Sequence, residues 1–202
     1  MARIESVIFD WGGVLIDDPT PALMRCCAEA LRVSQDDLAA AESEFVADFE
    51  KGVISEEAFW ERVCTRLKVP QPRGGSLWAK AFEAAYAPRR DMFSLAARLH
   101  EDGCKTAVLS NTEAPAMQYF HQLRYDMFDV LVFSCAEGTR KPETRIYEIA
   151  VESLGPPPAR TLFIDDTPEH INGAKQAGLN TILFKSIDQV RNELAQLGVK
   201  EN

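Results

Sequence analysis

Ile4-Glu5-Ser6-Val7-Ile8-Phe9-Asp10-Trp11-Gly12-Gly13 is the stretch on which the fold of this chain turns. From Ile4 to Phe9 it is short, β-branched and aromatic, and nearly continuous rather than alternating. That is the pattern of a strand covered on both faces. An acid and two glycines come directly after it, as at a tight bend. Four further runs share the pattern: Thr106 to Leu109, Phe128 to Phe133, Thr161 to Ile164 and Thr181 to Phe184. Amphipathic stretches separate them. Met92, Leu95, Ala96 and Leu99 form one helical face, stopped by Gly103; Ile146, Ile149, Ala150 and Leu154 form another, ended by Gly155 and three prolines. This alternation predicts an α/β fold, a doubly wound parallel sheet of Rossmann-like type.

The rhythm breaks between the first and second strands, where about a hundred residues read as helices only. Ser34 is placed to cap a helix carrying Leu38, Ala41, Phe45 and Phe49, with Gly52 behind it. Ser55, followed by Glu56 and Glu57, caps the next, whose face is Phe59, Val63 and Leu67. Pro70 to Gly75 reads as a loop, and Leu77 to Tyr86 is helical again. The expected organisation is a core of residues 1–16 and 89–202 with a helical bundle, 17–88, inserted after the first strand.

The 202 residues are 46% hydrophobic, too apolar for a disordered chain and enough for a core without disulfides. Thirty-one acids against 22 bases give a formal charge of −9, which argues against nucleic acid and anionic membrane surfaces as partners. Five scattered cysteines form no paired spacing, as expected of buried thiols in a reducing compartment. No run approaches the ~20 apolar residues of a membrane span, and the first residues lack the apolar core of a signal peptide. A cytoplasmic location is the expectation.

Ligands of open parallel sheets bind beyond the carboxyl ends of the strands, so the residues there are the candidates for chemistry. They are Asp10-Trp11-Gly12-Gly13, Ser110-Asn111-Thr112, Lys141-Pro142 and Asp165-Asp166-Thr167. Singly, each has a plain explanation as a helix cap, a turn or a surface charge. Together they place carboxylates, a hydroxyl, an amide and an ammonium on one edge. Adjacent carboxylates in one crevice repel unless a cation or a shared proton compensates, and Mg²⁺ suits an all-oxygen site. His100, His121 and His170 lie far apart in sequence, and no ligand set is expected of them. Trp60 and Trp78 read as core of the helical insert, and Trp11 as lining the pocket or packed beneath the insert.

Val7 to Leu15, Leu109-Ser110-Asn111-Thr112, Arg140-Lys141-Pro142-Glu143 and Phe163-Ile164-Asp165-Asp166 resemble, in order, the four motifs of the haloacid dehalogenase (HAD) superfamily. The resemblance spans the chain. It is nearest to bacterial glucose 1-phosphate phosphatases, in the stretch Arg140 to Tyr147, and to the phosphatase domain of soluble epoxide hydrolases. It implies that the insert is a cap and that the protein is a phosphatase acting on a small phosphorylated metabolite, a sugar phosphate being the first expectation. By the same resemblance Asp10 is the nucleophile, forming an aspartyl-phosphate, and Lys141 is its catalytic partner. Mg²⁺ is held by Asp10, the Gly12 carbonyl and Asp166, with Asp165 supporting or sharing the role. Ser110, Asn111 through its backbone N–H, and Lys141 cradle the phosphoryl oxygens, with Trp11 and Gly12 beside the substrate.

One position departs from the pattern. Most phosphatases of the superfamily carry a second Asp two residues after the nucleophile, as general acid and base; here it is Gly12. Such help is worth ~10²–10⁴-fold in rate. The glucose 1-phosphate phosphatases resemble this chain in having glycine there, and a good leaving group needs less protonation. Asp17 and Asp18 are nearby acids whose plainer reading is loop charge. A 2-haloacid dehalogenase, which needs neither metal nor proton donor, is the alternative, but it has no use for the Asp165-Asp166 pair. A non-catalytic phosphometabolite-binding protein is the third reading.

Overall fold

Residues 3–199 are described by a computed structural model. Five parallel strands form one sheet: β1 (Ser6–Phe9), β2 (Lys105–Ser110), β3 (Val130–Phe133), β4 (Thr161–Asp165) and β5 (Asn180–Leu183), in the order β3-β2-β1-β4-β5. All five fall on the runs read from the sequence. Val7, Ile8 and Phe9 are fully buried, which is why that run does not alternate. Val7 and Phe9 face a large core that extends into the insert, whereas Ile8 faces a smaller one with Leu109 and Phe163.

Helices cover both faces. The larger core takes α6 (Arg90–Glu101), α7 (Ala114–Leu123) and α11 (Ile187–Gln196), and the smaller one takes α9 (Thr144–Leu154) and α10 (Pro168–Gln176). A single turn, α8 (Ser134–Glu137), comes directly after β3. Chain order runs from β1 to β2 on one side and reaches β4 on the other. The carboxyl end of β1 is thus the switch point where such sheets open a crevice.

Five helices lie between β1 and α6: α1 (Thr20–Leu31), α2 (Gln35–Glu42), α3 (Val46–Glu50), α4 (Glu56–Leu67) and α5 (Leu77–Ala85). Their entry and exit run side by side, with Asp17 N–H donating to the Ala87 carbonyl and Arg89 N–H to that of Leu15, both at 2.9 Å. Ser34, Ser55 and Ser76 cap α2, α4 and α5 through their side chains. The helix expected from Leu38 through Phe49 is two helices. Its chain turns at Ser43–Phe45, where the Ser43 hydroxyl donates to the Ala40 carbonyl and competes with the helical ladder. The break leaves Phe45 part-exposed beneath the Arg62 guanidinium and sends Phe49 into an aromatic core, stacked on Phe59 at 4.5 Å. Trp60 and Trp78 belong to that core, as expected. Among the described residues no helix is long and apolar enough to cross a membrane.

Candidate active site

At the end of β1, Asp10 is 6% exposed and its Oδ1 accepts the backbone N–H of Trp11 at 2.7 Å. Gly13 makes the next turn with φ +84°, and a Cβ there would lie 2.1 Å from Asp166 Oδ2. Only glycine lets the turn after β1 come this close to the Asp166 carboxylate that follows β4. At the end of β4, Asp165 is fully buried. Between the two acids stands Lys141, 1% exposed, with Nζ 2.7 Å from both Asp10 Oδ1 and Asp165 Oδ2.

Lys141 reaches this position because its backbone is held. Its N–H donates to Asn111 Oδ1 at 2.8 Å, and its carbonyl accepts from Asn111 Nδ2 at 3.0 Å. From the other side α10 presses on the Lys141-Pro142 loop so closely that a Cβ on Gly173 would lie 2.7 Å from the Pro142 carbonyl oxygen. Asn111 therefore spends its side chain on Lys141 and leaves its backbone for a ligand. Ser110, 4% exposed, accepts the Thr112 hydroxyl at 2.7 Å, which orients its own hydroxyl.

His170 belongs here too, and the sequence spacing missed it. Its Nδ1 lies 3.1 Å from both oxygens of Asp165, and the Tyr147 hydroxyl donates to its backbone carbonyl. It sits five residues after Asp165 on the first turn of α10, so the helix itself folds it back onto the acid. Asp165 is thus saturated: Oδ1 also accepts the Thr167 N–H at 2.8 Å, and Oδ2 takes the ammonium.

The charges are unbalanced. Burial raises Asp165, but the Lys141 ammonium, with help from His170, outweighs it and holds this carboxylate well below its ordinary range. For Asp10 burial prevails over the pull of Lys141, Asp165 adds repulsion, and its pKa lies well above the ordinary value. Asp166 is raised by burial and by Asp165, against which the Thr167 hydroxyl at 3.3 Å, a backbone N–H and the Lys141 charge pull only weakly. Burial works against the Lys141 charge, yet the two acids keep its pKa raised. Three carboxyl groups therefore crowd one buried ammonium. The surplus negative charge and the oxygen donors fit a hard divalent cation. Ligand atoms of Asp10, Asp165 and His170 also lie within 4.8 Å of one another, but Lys141 already fills the space between the first two.

Asp10, Gly12, Ser110, Asn111, Lys141 and Asp166 all line one cavity of about 330 Å³. Of the eight residues singled out from sequence, two are absent from that lining. Asp165 lies behind Lys141. Trp11 lines an adjoining cavity and packs against Phe82 and Phe120 at 4.9 and 5.0 Å. Asp18 reaches the first cavity, with its carboxylate accepting the Thr20 N–H, while Asp17 pairs with Arg89. Sequence reasoning gave no role to Glu50, Arg140 or Ser134, which come together at the rim. Arg140 Nε is 3.0 Å from Glu50 Oε2, and the Ser134 hydroxyl donates to the Glu50 carbonyl.

A parallel-sheet enzyme with an acid at the end of its first strand and a lysine-bridged acid pair beside it is a HAD-type hydrolase. Residues 4–178 match the haloacid dehalogenase-like hydrolases, and the chain belongs to that family. Over 185 residues it is 30% identical to a sesquiterpene phosphatase of Aspergillus oryzae, covering 87% of each chain. It is 27% identical over 213 residues to rat bifunctional epoxide hydrolase 2, covering 94% of this chain but 38% of that longer protein. Its fold matches a HAD family enzyme of Bacteroides thetaiotaomicron with a TM-score of 0.78 at 19% identity, over 96% of this chain and 99% of that one. The same enzyme has been crystallised with magnesium and inorganic phosphate.

Proposed function

We propose that the protein is a Mg²⁺-dependent phosphomonoesterase working through an aspartyl-phosphate on Asp10. The observation that carries this reading is the cavity where Asp10, Ser110, the Asn111 backbone, Lys141 and Asp166 converge, with Asp165 and His170 fixing Lys141 from behind. Asp10 attacks phosphorus; the new bond forms as the ester P–O bond breaks, and water later returns inorganic phosphate and the free carboxylate. The Ser110 hydroxyl, the Asn111 N–H and the Lys141 ammonium hold the phosphoryl oxygens as charge builds on them. Asp10, the Gly12 carbonyl and Asp166 are the residues to hold Mg²⁺, since both oxygens of Asp165 are engaged. When bound, the cation offsets the repulsion between nucleophile and substrate and polarises the phosphoryl group.

The division into a core (1–16 and 89–202) and a cap (17–88) is part of the same reading. It is supported by the paired entry and exit strands and by a cavity between the two parts. Relatives named as phosphatases or phosphate-ester hydrolases support the reaction class: besides the fungal enzyme, an Arabidopsis flavin mononucleotide hydrolase is 35% identical over 66 residues, 33% of this chain and 27% of that one. The fold is shared with L-2-haloacid dehalogenase of Xanthobacter autotrophicus, with a TM-score of 0.65 at 23% identity over 98% of this chain and 85% of that one. Release of phosphate from 4-nitrophenyl phosphate, with and without EDTA, beside halide release from 2-chloropropionate decides between the two. Mg²⁺-dependent phosphate release that Asp10→Asn abolishes is the expected result; metal-independent halide release refutes the proposal. A phosphate-binding protein without turnover would retain its affinity in Asp10→Asn and give neither product.

A further inference from the structure

Next to the phosphate cavity lies a second one, of about 270 Å³, enclosed between the insert and the core. Gly12, Pro19, Thr20, Glu50, Ser110 and Asn111 line both, so the group esterified to a phosphate at Asp10 projects into it. Its walls are Ile16, Leu23, Met24, Val46, Phe82 and Ala116. The buried polar groups there are mostly occupied with one another. Glu113 accepts the Trp78 indole N–H at 3.0 Å, and Glu50 pairs with Arg140. Three buried atoms of the lining make no hydrogen bond: the Trp11 indole Nε1, Glu42 Oε2 and Glu50 Oε2, the last held only in its ion pair with Arg140. Trp11 is 1% exposed and lines this cavity.

Resting on the phosphomonoesterase reading, we propose that the leaving group is a compact, largely apolar alcohol carrying at most one polar substituent, rather than the polyol of a sugar. A sugar would bury several hydroxyls against hydrocarbon, each unsatisfied one costing ~1–3 kcal/mol. An apolar alcohol gains ~25 cal/mol per Å² buried. The cavity also lies at the small end of the ~300–1,000 Å³ of small-molecule sites, which limits the alcohol to a short chain or a single ring. This narrows the expectation of a sugar phosphate away from sugars.

The test is a comparison with Mg²⁺ of phenethyl phosphate and isopentenyl phosphate against glucose 1-phosphate and glucose 6-phosphate. Acetyl phosphate, too small to fill the second cavity, serves as reference. kcat/KM is expected to be about 100-fold higher for the apolar esters. Met24→Gln, isosteric but polar, is expected to lower the ratio of phenethyl to acetyl phosphate about tenfold, and the Trp11 and Trp78 fluorescence to report phenethyl phosphonate binding at lower concentration than glucose 1-phosphate. Hexose phosphates turned over as well as apolar esters overturn the proposal while acetyl phosphate turnover keeps the phosphatase reading. No turnover of acetyl phosphate overturns both.

Of the six residues common to both cavities, Glu50 alone has an ionisable side chain. That junction is where the ester oxygen must lie. We infer that Glu50, from the insert, supplies the proton function that position 12 lacks. In the first step its carboxyl proton passes to the departing alkoxide as the P–O bond breaks. In the second its carboxylate takes a proton from the water that attacks the aspartyl-phosphate, which restores the acid. Arg140, Lys141 and the His170 ring face it on one side and Glu42 and Glu113 on the other; burial outweighs the pull of the bases and leaves its pKa raised.

Glu50→Gln with 4-nitrophenyl phosphate, whose anion leaves without a proton, is expected to show a burst of about one equivalent of nitrophenolate and then turnover slowed ~10²-fold or more. With phenethyl phosphate the burst should vanish, because the first step then needs the acid. Glu50→Asp should fall between the two. Equal slowing on both esters with no burst, or unaltered rates, refutes the assignment. Nitrophenolate release absent even from the wild-type protein with Mg²⁺ would instead remove the phosphomonoesterase reading.

Discussion

Two sets of three acids lie at the paired cavities, one at the sheet edge with Asp165 set behind Lys141, and one beneath the insert, and they differ in the positive charge around them. On the core side, Asp10, Asp165 and Asp166 are built around an ammonium: Lys141 bridges the first two, and β4, Asn111 and α10 fix every member. On the insert side, Glu42 and Glu50 lie with Glu113 of the core beside them, and Arg140 forms an ion pair with Glu50. Burial lifts Glu42 to about 7 and Glu113 to about 8. The first set is gathered around an ammonium and the second is not, and in both burial raises carboxyl groups: Asp10 and Asp166 in the first, all three in the second. On the proposed reading the phosphate lies against the first set and the departing alcohol against the second.

Lys141 is where that contrast breaks most easily. Lys141→Met leaves two buried carboxylates with no ammonium, and a loss of about 3–5 kcal/mol is expected in chemical denaturation at pH 7. The loss should shrink with added Mg²⁺ if the cation fills the same charge deficit. A smaller effect comes from Gly13→Ala, which places a methyl on the Asp166 carboxylate at a positive φ. About 1–3 kcal/mol of stability and most of the Mg²⁺ affinity should go, the latter read by calorimetry.

On the insert side Glu113→Gln sharpens the comparison. Because the folded-state pKa of Glu113 is raised, the folded chain retains a proton that the unfolded chain releases. Its penalty is absent below the ordinary carboxylate range and grows as pH rises towards about 8. Glu113→Gln should match wild type at pH 4.5 and be more stable at pH 8 by up to about 4 kcal/mol, since the amide oxygen still accepts the Trp78 N–H. Wild-type superiority at pH 8 would mean that Glu113 is ionised in the folded chain.

The core was readable because strands buried on both faces leave continuous apolar runs, and because the residues just after each run must lie on one edge. Asp10, Ser110, Lys141 and Asp166 were found in that way. His170 was not, since its role depends on the first turn of α10 pointing back at Asp165, and a lone histidine carries no periodic signal. Glu50 escaped for a different reason. It lies on a five-residue helix, and the turn at Ser43–Phe45 that rotates this helix inward interrupts a pattern that reads as unbroken from Leu38 to Phe49.

The end of α3 and the residue after it are fastened to the core at three points. The Glu50 carbonyl accepts the Ser134 hydroxyl, its carboxylate meets Arg140, and Lys51 Nζ is 2.5 Å from Glu143 Oε1. On the proposed mechanism, a swing of the insert that admits a substrate would undo these ties and withdraw Glu50 from the ester oxygen, so that entry and reaction would alternate.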